Sequence, residues 1–438
     1  MFEGRINKII VFFIYISVFV NSIVLIKDPF EFYIGYLVFL LLLPVFLMRY
    51  GIPSILTVIF SVLLVSGIIN IILGYNTAGL FLKIFTGAFF SYLFYYYVII
   101  ESKYNIEKLF QLYLKGCYIV SLIGLIQFLS FHVGFKPGYD YMWLLNKWGY
   151  YSGGDFGMRV NSIFGEPTYL GACVSAGMFV SLYNLIVKKP YYLNKIKSAV
   201  ILVTYILSAS GLAYVAFFLA IIFLLINFGL IRYVLVFVPI LFGAFYYAYN
   251  NVSEFRERYD STIDIFSAGK FEIGKTHGSS IILYNNYRVA KENFSRNWLF
   301  GTGLGSHSIA FEKYSIMKNE KIEGFNQNGA DASSMLLRLI SETGLFGSGL
   351  MLLLTFRCFV ARSQTISSQI PEYYWLISGG IMIMILVNLF RQGHYFLNGF
   401  PFFVWMYYYN YVNYKEYLST ISTKENQVKD VSGMFAIK

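Results

Sequence analysis

The feature that most constrains this chain is a succession of long apolar runs separated by short basic gaps. A helix needs about 20 mainly apolar residues to cross a bilayer. Such runs occupy 9–26, 32–48, 52–73, 79–100, 112–131, 168–187, 198–209, 211–228, 233–249, 334–356, 373–390 and 400–413. They predict an all-α polytopic membrane protein of about twelve transmembrane helices, with the lipid bilayer as its partner. Composition agrees: 57% of the 438 residues are hydrophobic and 13% are charged, against about 25% charged in a soluble domain. Such a chain lacks the polar groups to cover a water-facing surface.

The net charge of +11 does not indicate a nucleic-acid partner, because no dense basic block exists. Instead most Lys and Arg lie in the gaps. With Arg5 and Lys8 placed in the cytoplasm, that side also receives Arg49, Lys103, Lys108, Lys115, Lys188, Lys189, Lys195, Lys197, Arg232, Arg357, Arg362 and the tail from Lys415. The short opposite loops hold Lys27, Lys136, Lys147, Arg159 and Arg391. The asymmetry predicts that both termini are cytoplasmic and the span count even. The first run lacks a small-residue cleavage site and reads as a span. Cys117, Cys173 and Cys358 are scattered and give neither a disulfide framework nor a metal spacing.

The run 198–228 is too long for one helix and short for two. Ser208-Ala209-Ser210-Gly211 at its middle predicts two helices meeting at a tight break, the first too short to cross alone. Two non-cytoplasmic loops stand out: 132–167, polar and aromatic, and 250–333, large, with a helical stretch at 281–298 and a glycine turn at 301–305. The membrane domain is read as 1–414, and the polar tail 415–438 as loose.

Four segments could carry chemistry. The first is Arg159-Val-Asn-Ser-Ile-Phe-Gly-Glu166-Pro167-Thr168. Its Pro167 suits a first helical turn, which puts Glu166 at a helix N-terminus; a plain charged cap is the simpler reading. The second has Arg288, Glu292 and Arg296 on one helical face, followed by Gly301-Thr-Gly303-Leu-Gly305. A solvated ion-pair stripe is the alternative, and the glycines match neither a Walker loop nor a dinucleotide fingerprint. The third runs from Asp331 through Arg338 to Glu342 and Gly344, where a self-neutralising Arg338–Glu342 pair is the alternative. The fourth is Arg391-Gln392-Gly393-His394-Tyr395, which can be ordinary loop polarity. All four fall on one side of the predicted membrane. Together they offer Arg159, Arg288, Arg338 and Arg391 to phosphate oxygens. Glu166, Asp331, Glu342 and His394 are the acid and imidazole groups beside them.

Three stretches carry a resemblance to the bacterial O-antigen polymerase and ligase superfamily, and within it to Wzy-type polymerases. Arg159–Pro167 resembles an "Arg … Ser-x-Phe-x-Glu-Pro-Ser" segment, with Thr168 for Ser. Arg288–Gly305 resembles an Arg-bearing helix followed by "Pro-Leu-x-Gly-x-Gly", with Trp298 for Pro. Leu337–Gly347 resembles "Leu-x-x-Leu-x-Glu-x-Gly-x-x-Gly". The ligases' His-Asn pair is replaced here by Ser333 and Ser334, and the Ser-Arg-Gly break of the family lacks its Arg. The resemblance implies a GT-C-like, metal-independent glycosyltransferase without a cofactor, its site periplasmic. It would sit in the bacterial inner membrane and use undecaprenyl-pyrophosphate-linked oligosaccharides as donor and acceptor, with a chain-length regulator protein as an accessory partner and Arg159 and Arg288 on the donor pyrophosphate. Glu166, Asp331, Glu342 or His394 would orient or deprotonate the acceptor hydroxyl, with no choice among them. An O-antigen ligase is the alternative within the superfamily. A lipid-linked oligosaccharide flippase is the alternative of another class, although internal repeats typical of transporters are lacking.

Overall fold

The computed structural model describes residues 8–27, 31–153, 157–230, 234–251, 253–269, 276, 278–317, 327–362 and 370–435. A helix lies over each of the twelve apolar runs: α1 (Lys8–Phe19), α2 (Ile34–Tyr50), α3 (Ser54–Ile72), α4 (Ala78–Glu101), α5 (Ile106–His132), α7 (Pro167–Ile186), α8 (Lys195–Leu207), α9 (Gly211–Asn227), α10 (Val234–Asn251), α14 (Met335–Arg357), α15 (Tyr373–Arg391) and α16 (Phe400–Phe435). The remaining helices are the short α6 (Lys136–Tyr139), and α11 (Ser253–Ala268), α12 (Gly278–Arg296) and α13 (His307–Tyr314) in the long connection. Among the described residues six helices are long and apolar enough to cross a membrane: α3, α4, α5, α7, α14 and α15. The chain is therefore a multi-pass membrane protein by length and composition. Helices α1, α2 and α9 are apolar but shorter.

Helices α7 and α15 form the centre. Small residues let their backbones approach: Gly380 lies against Ala176, Gly379 against Phe179, and Gly171 of α7 against Ala213 of α9. Both helices are buried over most of their length. In contrast, α3 turns Val58, Val65, Ile68, Ile69 and Ile72 outward, as a lipid-facing helix does. Many aromatics pack between helices, with Phe39 4.8 Å from Phe94 and Tyr113 4.9 Å from Phe403.

The predicted break is present. Helix α8 ends at Leu207, Ala209 takes a left-handed φ of 44°, and α9 begins at Gly211. Thirteen residues of α8 rise about 20 Å, short of the roughly 30 Å hydrocarbon core.

Two expectations are corrected. The first run does not stay helical to 26. After Phe19 the backbone is claimed by the 146–165 segment: Lys147 N donates to Ser22 O (2.9 Å), Ser22 Oγ to Ile163 O (2.6 Å), and Gly165 N to Asn21 Oδ1 (3.2 Å). Strand β1 (Val24–Ile26) then pairs antiparallel with β2 (Phe32–Tyr33). At the other end the polar tail is helical, with α16 continuing to Phe435.

Candidate active site

The first motif is held by its apparently neutral residues. Ser162 sits at φ 51°, its N–H donates to Gln127 Oε1 (2.8 Å), and its hydroxyl donates to Val120 O (2.7 Å). Asn161 is fully buried, accepting from Gln127 Nε2 (3.0 Å) and donating to Phe164 O (2.9 Å). Val160 N donates to Leu207 O (3.0 Å), and Arg159 Nε to Ser208 O (3.4 Å). The motif is thus fastened to the α8–α9 break. Pro167 is the first residue of α7 and Glu166 its N-cap, but the Glu166 carboxylate makes no capping hydrogen bond. It keeps an exposed surface and interacts electrostatically with Lys147, Asp331, Arg159 and Arg391. Burial among protein groups raises its pKa above the ordinary carboxylate value; Asp331 adds to this, while Lys147, Arg159 and Arg391 oppose it.

The second and third motifs form one mechanical unit. At Gly344 (φ 60°, ψ −150°) helix α14 breaks its own hydrogen-bond ladder. The freed groups meet the 298–303 loop: Leu345 N donates to Trp298 O (2.8 Å), Phe346 N to Leu299 O (3.0 Å), Gly303 N to Glu342 O (2.8 Å) and Thr302 N to Ser341 O (3.3 Å). A Cβ on Gly301 would lie 2.6 Å from the Glu342 carbonyl oxygen, and one on Gly344 2.6 Å from the Trp298 carbonyl oxygen. The glycines therefore allow two backbones to touch. Asn293 of α12 joins the same seam, donating to Ser341 O (2.9 Å) and Thr302 Oγ1 (2.8 Å).

This seam fixes Arg338 and Glu342. Arg338 Nε donates to Glu342 Oε1 at 2.9 Å, and the two side chains are 5% and 0% exposed. Arg338 Nη1 donates to Gly393 O (2.8 Å), and Tyr395 OH to Glu342 Oε2 (2.9 Å). The guanidinium lies 4.6 Å from the centroid of the Tyr395 ring. Arg338 and Glu342 are thereby consumed in a closed network. Behind it His307 is fully buried, its Nε2 3.0 Å from Asn286 Oδ1. Burial, assisted by Arg338 and opposed by Asp331, holds its pKa at about 3, so the ring is neutral.

The fourth motif is stapled to the third. Gly393 lies against Asp331 so closely that a Cβ there would collide with the Asp331 carbonyl. Asp331 Oδ1 accepts from Ser333 N (3.0 Å), and Oδ2 lies 3.3 Å from His394 Nε2. Burial lowers the His394 pKa below the ordinary imidazole value; Asp331 opposes this, Arg338 and Lys147 reinforce it, and Glu31 opposes it. Arg391, last residue of α15, couples electrostatically to Asp331 and Glu166, and its Nη1 is buried with no hydrogen-bond partner among the described residues.

Arg159, Glu166, Asp331, Arg391 and His394 thus share one mouth, at the end of the bundle where α7 and α14 begin. Arg288, on α12, is exposed and forms no hydrogen bond or ion pair with them among the described residues. Lys147, read from sequence only as a loop charge, does belong to the mouth: it pairs with Glu31 and Tyr33 of the β1–β2 hairpin and acts on Glu166 and His394. No motif surrounds it, so only the fold could reveal it. Among the described residues no three His, Cys, Asp or Glu side chains gather as a metal-binding group. A comparison with models of known protein families found none that matches the chain, and no curated protein matches it.

Proposed function

We propose that the protein is a metal-independent membrane glycosyltransferase that polymerises undecaprenyl-pyrophosphate-linked repeat units at the periplasmic face of the inner membrane. The observation that carries this reading is a buried Arg391 nitrogen, unpartnered among the described residues, beside a His394–Asp331 pair at the mouth of a membrane bundle. A buried guanidinium nitrogen without a partner is costly unless an anion completes it. A diphosphate ester held in the mouth supplies that anion, and the guanidinium fork suits its oxygens.

In the proposed reaction the acceptor hydroxyl attacks the anomeric carbon of the donor. The new C–O bond forms as the bond to the pyrophosphate oxygen breaks. The hydroxyl proton passes to His394, whose lowered pKa leaves it neutral and able to accept. Asp331 stabilises the imidazolium that results. The leaving pyrophosphate develops negative charge toward Arg391 and Arg159, whose guanidinium groups stabilise it. Glu166, protonated more readily than an ordinary carboxyl, is placed to hold a sugar hydroxyl. Arg338 and Glu342 build the floor and do not touch substrate. The basic asymmetry of the loops supports a periplasmic mouth; reporter fusions after Lys108, Lys195 and Arg362 should read cytoplasm, and one at Gly153 periplasm.

The test is purified protein in proteoliposomes given lipid-linked repeat units in excess chelator. Chain extension is the expected result. Absence of extension, or extension that appears only when Mg²⁺ or Mn²⁺ is returned, would overturn the proposal. Gene deletion separates the alternatives: a lost polymerase leaves a single repeat unit on the final acceptor, a lost ligase leaves none, and a lost flippase leaves no unit outside.

A further inference from the structure

Just beyond α12 the chain presents Trp298, Leu299 and Phe300 outward, each about half exposed, with Leu345 of α14 exposed beside them. Nothing in the proposed chemistry uses them. Their depth follows from α14. The segment from Leu345 to the basic Arg357 at the far end is helical and rises about 18 Å. With Arg357 at one interface and a hydrocarbon core of roughly 30 Å, Leu345 lies inside the leaflet at the mouth end. Trp298 and Leu299 are hydrogen-bonded to Leu345 and Phe346, so the loop shares that depth.

Non-helical backbone survives at such depth only if protein satisfies its polar groups. Here the carbonyls of Trp298 and Leu299 are taken by α14, and Gly301 N donates to Asn297 O (2.9 Å). The patch is also continuous with an apolar outer surface: Leu350, Leu353 and Phe356 lie exposed farther down the same helix. Arg288 and Lys291, three residues apart and earlier on α12, are exposed and neighbours on the helix surface. Ile281, Tyr284, Val289 and Ala290 of α12 are buried.

We propose that the 298–300 loop is a re-entrant anchor inserted into the bilayer leaflet at the mouth end, with Arg288 and Lys291 at the level of the lipid phosphates. Trp suits the boundary of this region, and basic side chains suit the headgroups. The anchor would hold the α12–α14 seam, and so the mouth, at a fixed height in the membrane. The inference uses the membrane-spanning character of α14 and is independent of the reaction proposed above.

The experiment uses the full chain in proteoliposomes. The three native cysteines are buried, so Lys291→Cys and Leu299→Cys can each be spin-labelled selectively. The label at 299 should be more accessible to oxygen than to a water-soluble nickel chelate, and the label at 291 the reverse. In parallel, the fluorescence lost on Trp298→Phe should be quenchable by lipids brominated on their chains. Greater nickel access at 299, or a Trp298 component quenched by aqueous iodide and not by brominated lipid, would overturn the anchor. A component shielded from both quenchers would also overturn it and indicate a protein neighbour.

Discussion

Two Arg–Glu pairs with identical spacing behave oppositely in this molecule. Arg338 and Glu342 on α14 are sealed together at 2.9 Å with almost no exposure. Arg288, four residues before Glu292 on α12, stands exposed and unbridged among the described residues. Spacing puts both pairs on one helix face, but the surroundings decide the outcome. On an exposed face the Coulomb gain is small and the side-chain entropy favours separation. In the bundle each charge would be stranded without the other, so the pair closes and recruits Gly393 O and Tyr395 OH.

The largest effect expected from this contrast is on stability. Glu342→Ala strands Arg338 in the interior and should cost about 3–5 kcal/mol, read as loss of the folded peak in detergent on heating. Arg338→Met with Glu342→Leu should cost much less than the sum of the single changes. A single Glu342→Ala that melts like wild type would erase the distinction between the two pairs.

Next comes catalysis at the mouth. Arg391→Ala should lower chain extension about ten- to hundredfold, as expected for a charged hydrogen bond of roughly 1.5–3 kcal/mol. Arg391→Lys should also be impaired, because the ammonium lacks the fork. Extension rates equal to wild type in both, at equal membrane abundance, would remove Arg391 from the site.

The seam between the 298–303 loop and α14 gives a third comparison. Gly344→Ala forces a side chain into a left-handed position against the Trp298 carbonyl and should cost about 1–3 kcal/mol. Gly349→Ala, on the same helix with open space around it, should be neutral or slightly stabilising. Equal melting of the two variants would contradict the seam.

The pH profile follows from His394. Its pKa lies below 6.5, so activity that needs neutral imidazole should persist below that pH and fail only in more acid solution. Asp331 is the main group raising this pKa. Asp331→Asn should therefore move the acid limb to still lower pH, with a reduced plateau. A limb that moves upward would show that another group is titrating.

The smallest effects belong to the exposed pair. Arg288→Ala and Glu292→Ala should each alter melting by no more than about 0.5 kcal/mol and leave extension near wild type. A tenfold loss of extension in Arg288→Ala would bring it back to the donor pyrophosphate, where the sequence resemblance places it.

What the sequence determined by itself follows from short-range physics. Apolar runs near bilayer length became helices because a chain in lipid must satisfy its backbone within each segment. The Ser208–Gly211 break and the Pro167 start of α7 were legible because glycine and proline act on their own backbone. Where neighbours acted, prediction failed. Asn21 and Ser22, just past the end of α1, bond to residues more than 140 positions away. The mouth divides the same way. Arg159, Glu166, Asp331, Arg391 and His394 could be nominated from charge beside apolar runs, because an ionisable group there demands a partner. Only tertiary packing could withdraw Arg338 and Glu342 into a closed network, leave Arg288 exposed and unbridged among the described residues, bring in Lys147 and pair His394 with Asp331. Those outcomes depend on which helix ends come together, and that is set by small-residue contacts and a helix break at Gly344, not by spacing along the chain.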